Sequence, residues 1–399
     1  MLTAHKIALD PNNRQATGLA RAAGTARFSY NWALEEWERQ HEAHRQDPSL
    51  PPPSEAALRR RLNATKRTEF PWMLEVTKNA PQMAIIQLGQ AFQNFFQGRA
   101  KHPTFRKKGR DDRFTLTNDQ FKVEGQRIRI PHLGWVRMRE ALRFSGKILS
   151  ATVSLTAGRW FVSITVETTD PPERPSEHGG VVGVDLGVNV LATLSNGEEV
   201  VGPKALGRHL RRLRHLSRSL SRKERGSKNR AKARTKLARL HARIADIRLD
   251  ALHKLTSDLT RRFDVIAVED LNVAGMVKNH RLARAVSDMG FGEFRRQLAY
   301  KAERRGGRVV VADRFFPSSK RCSACGFVME EMPLSVRRWR CPACGADHLR
   351  DLNAARNLAR YAASSAVSAC GGEGSGDGHR TIVKPAPSKQ EVSSEPASA

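Results

Sequence analysis

Acidic residues are what this 399-residue chain has too few of. Against 69 Lys and Arg stand 40 Asp and Glu, a formal net charge of +29 with a pI near 10.9. Self-repulsion on that scale does nothing for a monomer's fold and points to a polyanionic partner, either nucleic acid or an anionic membrane surface. Long apolar runs are missing too: no stretch reaches the roughly 18 residues needed to cross a bilayer. The opening MLTAHKIALDPNNRQ holds no apolar signal core. Membrane insertion is excluded, and a cytoplasmic, nucleoid-associated place is expected. Five Cys are too few for a disulfide scaffold and are expected to be reduced. What remains is ordinary globular composition, 39% apolar with 29 Gly, at a length that suggests two or three domains.

The hydrophobic pattern divides the chain. HKIALD reads as a strand before the turn signal Asp10-Pro11-Asn12-Asn13. Residues 14–100 have helical spacing, interrupted at Pro51-Pro52-Pro53, with Ser54 placed to cap the next helix. Trp32, Trp37, Phe92, Phe95 and Phe96 fall at helical spacing and are expected in the core, as is Phe105 of the basic loop 101–113. Between 114 and 168 the period changes to two, with Gly turns, as in a small antiparallel sheet or barrel. A Pro-rich segment, 168–180, marks a boundary. Beyond it VVGVDLGVN, FDVIAVEDL and RVVVADRFF read as buried strands among helices, an α/β arrangement. The segment from Cys370 on is Gly/Ser/Pro-rich and reads as disordered.

Two Cys pairs follow the third strand. Cys322 and Cys325 frame Ser-Ala, and Cys341 and Cys344 frame Pro-Ala. Two such knuckles supply four thiolates to a tetrahedral Zn²⁺, and a closed shell of that kind is structural. Gly326 and Gly345 follow each second Cys, where a tight turn suits glycine.

Three carboxylates stand out. Asp185 ends VVGVD and Glu269 ends FDVIAVE. A carboxylate at the end of a buried strand is costly unless paired, and a cation is a natural partner. Asp351 opens the helix LRDLNAARNL, sharing a face with Ala354, Ala355 and Leu358 that lets the helix pack closely on the sheet. Gly183 and Gly187 would admit another backbone or a phosphate. Three such acids can hold two Mg²⁺ ions, which activate a nucleophile and stabilise a leaving 3′ oxygen in phosphodiester chemistry. Each acid also has a plainer reading: Asp351 as a helix cap, Asp185 as a turn cap, Glu269 as the partner of an Arg. Asp270 should face the other side of its strand.

The segment 203–248 reads as one long basic helical stretch, with 17 Lys and Arg against Glu224 and Asp246, too one-sided for internal pairing. Arg211, Arg214, Arg218, Arg222, Lys223 and Arg225 there, with Arg106, Lys107 and Lys108 in the 101–113 loop, are the candidate phosphate contacts. These features leave open a nuclease, a transposase that attacks with a DNA 3′ hydroxyl, and a regulator that only binds.

Taken with RQATGLARAAGTARFSYNWAL, AFQNFFQGRAKHPTFRKKG, VIAVEDLNVAGM and CPACGADHLRDLNAARNL, the chain resembles the TnpB (OrfB) family, transposon-encoded RNA-guided DNA nucleases related to type V CRISPR effectors. One departure is Leu349, where the family usually has Asp. The resemblance implies a multidomain α/β protein. Its RNase H-like (RuvC) nuclease domain would span 178–320 and 346–365, with a zinc ribbon inserted at 320–345. A wedge β-barrel would span 1–15 and 112–170, a helical recognition domain 16–111, and a disordered tail 366–399. It further implies Asp185, Glu269 and Asp351 as the catalytic, Mg²⁺-binding triad, a guide RNA from the transposon end, and double-stranded target DNA cut beside a short flanking motif.

Overall fold

The computed structural model describes residues 1–168, 179–333 and 335–370. The N-terminal half opens with β1 (Leu2–Asp10) and α1 (Asn13–Gln46). The Asn12 side chain accepts from the Gln15 amide and the Gln15 side chain returns a bond to the Asn12 backbone, a capping box that fixes where α1 starts. After the three prolines, Ser54 caps α2 (Glu55–Thr65) through the Ala57 amide, as its position suggests. Next come α3 (Asn79–Phe96) and the strands β2 (Arg113–Thr117), β3 (Lys122–Glu124), β4 (Arg127–Ile130), β5 (Gly134–Met138), β6 (Lys147–Thr156) and β7 (Arg159–Glu167).

These form one seven-stranded sheet in the order β2-β6-β7-β1-β5-β4-β3. The N-terminal strand is thus an interior member, antiparallel to β7 with Ile7 opposite Val162, and paired at its far end to β5. Along β7 the period of two is realised: Trp160, Val162, Ile164 and Val166 turn inward. No ladder joins β2 to β3. Helices and sheet share a single apolar core, in which Leu19, Leu34, Leu88 and Phe92 meet Leu116, Ile128 and Val162.

The C-terminal half is built on a second sheet. Its strands are β8 (Val181–Leu186), β9 (Ala192–Leu194), β10 (Glu199–Val200), β11 (Val265–Glu269) and β12 (Arg308–Ala312), in the order β10-β9-β8-β11-β12. β8, β11 and β12 are parallel, while β9 returns antiparallel. Between β10 and β11 lie α4 (Ala205–Ser221) and α5 (Lys228–Arg262); between β11 and β12 lie α6 (Val273–Met276), α7 (Ala283–Met289) and α8 (Phe291–Arg304). Leu252, Leu259, Phe291, Phe294 and Leu298 cover one face of the sheet. The hairpin β13 (Arg338–Arg340) and β14 (Asp347–Leu349) then leads directly into α9 (Arg350–Cys370), whose Leu358 and Ala362 cover the other face against Ala267 and Ala312.

Four sequence expectations need correction. The basic stretch 203–248 is two helices, broken where Gly226 takes φ of 88° and Ser227 caps α5 through the Arg230 amide. Phe96 and Phe105 are not core residues; they are 65% and 50% exposed. Residues 366–370 belong to α9, so the expected tail cannot begin at 366. The zinc element runs past 345, because β14 pairs with β13 as far as Leu349. Residues 371–399, and most of the Pro-rich boundary, lie outside the described residues.

Candidate active site

Asp185 and Glu269 sit at the carboxyl ends of adjacent parallel strands. Val184 is registered with Val268, and the two acids are the next residues of β8 and β11. Open α/β sheets present ligand sites at this edge. α9 brings in the third acid, and Gly183 is what lets it. A Cβ built on Gly183 would collide with the Ala355 carbonyl oxygen and lie 2.6 Å from the Ala359 amide nitrogen. The fully buried Ala354 and Ala355 supply the matching small surface on the helix. Asp351, in the first turn of α9, is thereby carried to the strand ends.

Asp185 feels the other two acids. Burial, then the negative charges of Glu269 and Asp351, push the Asp185 carboxyl well above the usual carboxylate range, against the pull of Arg350 and Arg337. The Asp351 carboxylate has an arginine at 3.4 Å, Arg337 Nη1. Glu269 accepts from the Ser318 hydroxyl. Asp270 does turn away, into a double ion pair with Arg295 at 2.6 Å and Arg314 at 2.7 Å. Three acids, one of them pushed up by burial and by the charges of the other two, form a site that a divalent cation would relieve, and their oxygens suit Mg²⁺.

Reading the residues alone missed the polar latch behind these acids. Asn353 and Asn357, both buried, lie one turn apart on α9. Asn353 Oδ1 accepts from the Ser323 amide at 2.8 Å, while its Nδ2 donates to the Arg321 carbonyl at 2.7 Å. Asn357 Nδ2 donates to the carbonyls of Ser318 at 2.8 Å and Arg321 at 2.6 Å. The helix that carries Asp351 is thus fastened to the segment that carries Ser318 and the first Cys knuckle. The available signal was two amides on the Ala/Leu face of an amphipathic helix, where apolar residues belong.

The four cysteines converge. Their sulfurs all lie within 4.8 Å of one another, with Cys322 to Cys344 at 3.7 Å and Cys325 to Cys341 at 3.6 Å. A tetrahedron with Zn–S bonds of about 2.3 Å has edges of about 3.8 Å, so the donor set fits Zn²⁺. Both knuckles are built alike: the Gly326 amide bonds to the Cys322 carbonyl and the Gly345 amide to the Cys341 carbonyl, each at 2.9 Å, with φ of 85° and 72°. Burial works against ionisation of Cys322, yet amides at Cys325 and Ala324, the Cys325 thiol and His348 together bring its thiol down to about 6. His348 Nε2 lies 3.0 Å from that sulfur, and its ring packs on Trp339. Among the described residues this is the one group of three or more candidate ligands gathered so tightly.

Comparison with known proteins follows the same segments. A family model described as "Probable transposase" (OrfB_IS605) matches residues 163–280, and a "Cas12f1-like, TNB domain" matches 291–358. A protein of Streptomyces pristinaespiralis named "Putative RNA-guided DNA endonuclease" is 41% identical over 378 residues, covering 92% of this chain and 90% of that one. The chain belongs to the TnpB (OrfB, IS605) family. The Escherichia coli K12 protein "Putative RNA-guided DNA endonuclease InsQ" is 36% identical across 93% of this chain and 94% of its own length. The "CRISPR-associated endodeoxyribonuclease Cas12f1" of Sulfoacidibacillus thermotolerans is 25% identical over 216 residues, half of each chain. A third family model, a "Helix-turn-helix domain", matches 1–46. In this TnpB-family chain that segment folds as one strand and one unbroken 34-residue helix.

The candidate phosphate contacts of this TnpB-family protein divide into two groups. Arg211, Arg214, Arg218, Arg222 and Arg225 are exposed on and just after α4, Lys223 is half-buried, and none has a carboxylate within ion-pair distance among the described residues. Lys107 and Lys108 are exposed on their loop. Arg106 is not free: its guanidinium stacks 3.7 Å over the Tyr30 ring and donates to Gln87, and burial lowers it to about 10. It lines a cleft of about 960 Å³ with Tyr30, Gln90, Asn94, His102 and Arg113. No helix among the described residues is long and apolar enough to cross a membrane.

Proposed function

We propose that this protein is a transposon-encoded, RNA-guided DNA endonuclease that cuts double-stranded DNA beside a short flanking motif. Asp185, Glu269 and Asp351 are its catalytic acids and hold two Mg²⁺ ions. The observation that carries the reading is the convergence of the three acids: two end adjacent parallel strands, the third rides on a helix seated against Gly183, and Asp185 is pushed up by burial and by the other two. Residues 179–320 and 350–365 form the RNase H-like (RuvC) domain in this reading. The seven-stranded sheet, with its strands in Leu2–Asp10 and 113–167, is the wedge β-barrel, α1 to α3 belong to the recognition domain, and Cys322, Cys325, Cys341 and Cys344 hold a structural Zn²⁺.

When bound, the Mg²⁺ pair supplies an activated water and a counter-charge for the leaving 3′ oxygen. The chain's own part is positional. Ser318 fixes one oxygen of Glu269, Arg337 steadies Asp351, and the exposed arginines of α4 neutralise the guide RNA and target backbone.

The test is to purify the protein from cells carrying its native downstream DNA, sequence the copurifying RNA, and offer the matching duplex with Mg²⁺. One abundant RNA and cleavage at its complement are expected, with cleavage abolished and binding retained in Asp185→Ala. Random RNA fragments and joined transposon ends would instead establish a transposase, the activity that the description of the matching family model names.

A further inference from the structure

Phe315 is 87% exposed, the most exposed large hydrophobic side chain among the described residues. A single exposed aromatic is ordinary on a protein surface. What sets this one apart is how firmly the backbone holds it out, and where. Phe315 lies three residues past β12, whose last residue, Ala312, is registered with Glu269. Its own amide donates to Asp313 Oδ1 at 2.8 Å, and the Phe316 amide donates to the Asp313 carbonyl at 3.0 Å. The Ser318 amide then bonds to the Phe316 carbonyl at 2.8 Å, with Pro317 between. Both flanks of this turn are tied to the acid-bearing strand: Arg314 pairs with Asp270, and Ser318 donates to Glu269.

The two phenylalanines of the turn divide the work. Phe316 turns inward onto Tyr361, ring centroids 4.9 Å apart, and supplies the apolar anchor. Among the described residues Phe315 makes no ring contact, and it is outside the core clusters. An apolar ring kept in water costs free energy. Along the chain it lies between Arg314, the partner of Asp270, and Ser318, the partner of Glu269. That is the chemistry of a stacking platform for an unpaired base whose phosphate passes toward the acids.

We propose that Phe315 stacks on an unpaired nucleobase of the DNA strand entering the candidate active site and so sets the position of the phosphate to be cut. The proposal rests on the nuclease reading of the three acids. Stacking of this kind is sequence-tolerant, because every base offers a π-face, which suits a protein whose target is chosen by a separate RNA.

The experiment uses the full chain with its copurified guide RNA in an Asp185→Asn background, which keeps the DNA uncut. Single-stranded target DNA carrying 2-aminopurine at successive positions is the probe, because stacking quenches its fluorescence. Quenching at one position is expected. It should vanish in Phe315→Ala and in Phe315→Leu, which keeps an apolar side chain but has no π-face, and return in Phe315→Tyr. With Asp185 restored, Phe315→Ala should slow single-turnover cleavage at subsaturating DNA by roughly fivefold to a hundredfold. Phe315→Tyr should cut near the parent rate. The melting temperature should not change, because the ring packs on nothing. No quenched position, or equal quenching in Phe315→Leu, would overturn the proposal even if the protein cuts DNA. A parent that fails to cut would defeat the nuclease reading, while the fluorescence comparison would still decide whether Phe315 stacks.

Discussion

Gly183 of β8 and Ala355 of α9 meet backbone to backbone, with no room for a single carbon between them. The helix bearing Asp351 is therefore seated by a glycine in the strand bearing Asp185, and the spacing of two of the three acids is set by one missing side chain. Gly183→Ala must push α9 off the sheet. Overpacking at a rigid contact of this kind costs about 3 kcal/mol, a melting-point drop of roughly 5 °C or more. Cleavage should fall further than stability, and thermal unfolding measured beside single-turnover cutting separates the two.

Asp185→Asn should abolish cutting, by about a thousandfold or more, while stabilising the Mg²⁺-free protein. The sign follows from the raised carboxyl. A folded-state value above the unfolded one means that the protein is penalised as pH rises through that window and spared below it, where both states are protonated. The melting-point gain of Asp185→Asn should accordingly vanish in acid and grow toward neutral pH. A variant less stable than the parent at pH 7 would contradict this.

Asn357→Ala takes the 2.8 Å donor from the Ser318 carbonyl and one of two amide donors from the Arg321 carbonyl, and Asn353→Ala strips the Ser323 amide of its acceptor. Each should cost about 1–3 kcal/mol. Because the amides tie α9 to the Ser318 segment, cleavage should drop while bound zinc stays near one ion per chain, as read by metal analysis. Loss of zinc in step with cleavage would mean that the knuckle, not the latch, had failed.

Cys341→Ser should remove the zinc, since three thiolates and a hydroxyl make a much poorer tetrahedral site. Amide exchange should then quicken from Ser318 to the start of α9, as expected where metal binding supplies local folding energy. Full activity in a zinc-free sample would refute the coupling of knuckle and Asp351.

Nucleic-acid affinity should fall steeply with salt. Replacing Arg211, Arg214, Arg218 and Arg222 together with Ala should flatten the slope of log affinity against log salt by up to about three, if each contacts one phosphate. An unchanged slope would place the backbone contacts elsewhere.

Much of this architecture was legible because it is written in local periods. The change from helical spacing to alternation at 114 marks where the strands begin, and the two CxxC pairs with their following glycines define the knuckles. What sequence could not reveal depends on distant partners. Phe96 has helical spacing but emerges on the solvent side of α3. Arg106 reads as a phosphate contact until Tyr30, 76 positions earlier in the chain, appears beneath it. Asn353 and Asn357 look like ordinary polar helix residues until the carbonyls they hold come into view. Asp185 and Glu269 were visible as strand-end carboxylates and Asp351 as a helix-opening one, but the pressure on Asp185 needed the packing of α9.

That pressure also bears on how such a protein changes over generations. Burial and two neighbouring charges push Asp185 well up, so its replacement by Asn should relax the structure. Aspartate becomes asparagine by one nucleotide change, and no second mutation is needed to repair the result. A cutter can drift into a silent occupant of the same DNA sites in a single step, with its basic helices, cleft and metal knuckle intact. Only continued demand for cutting keeps the acid in place.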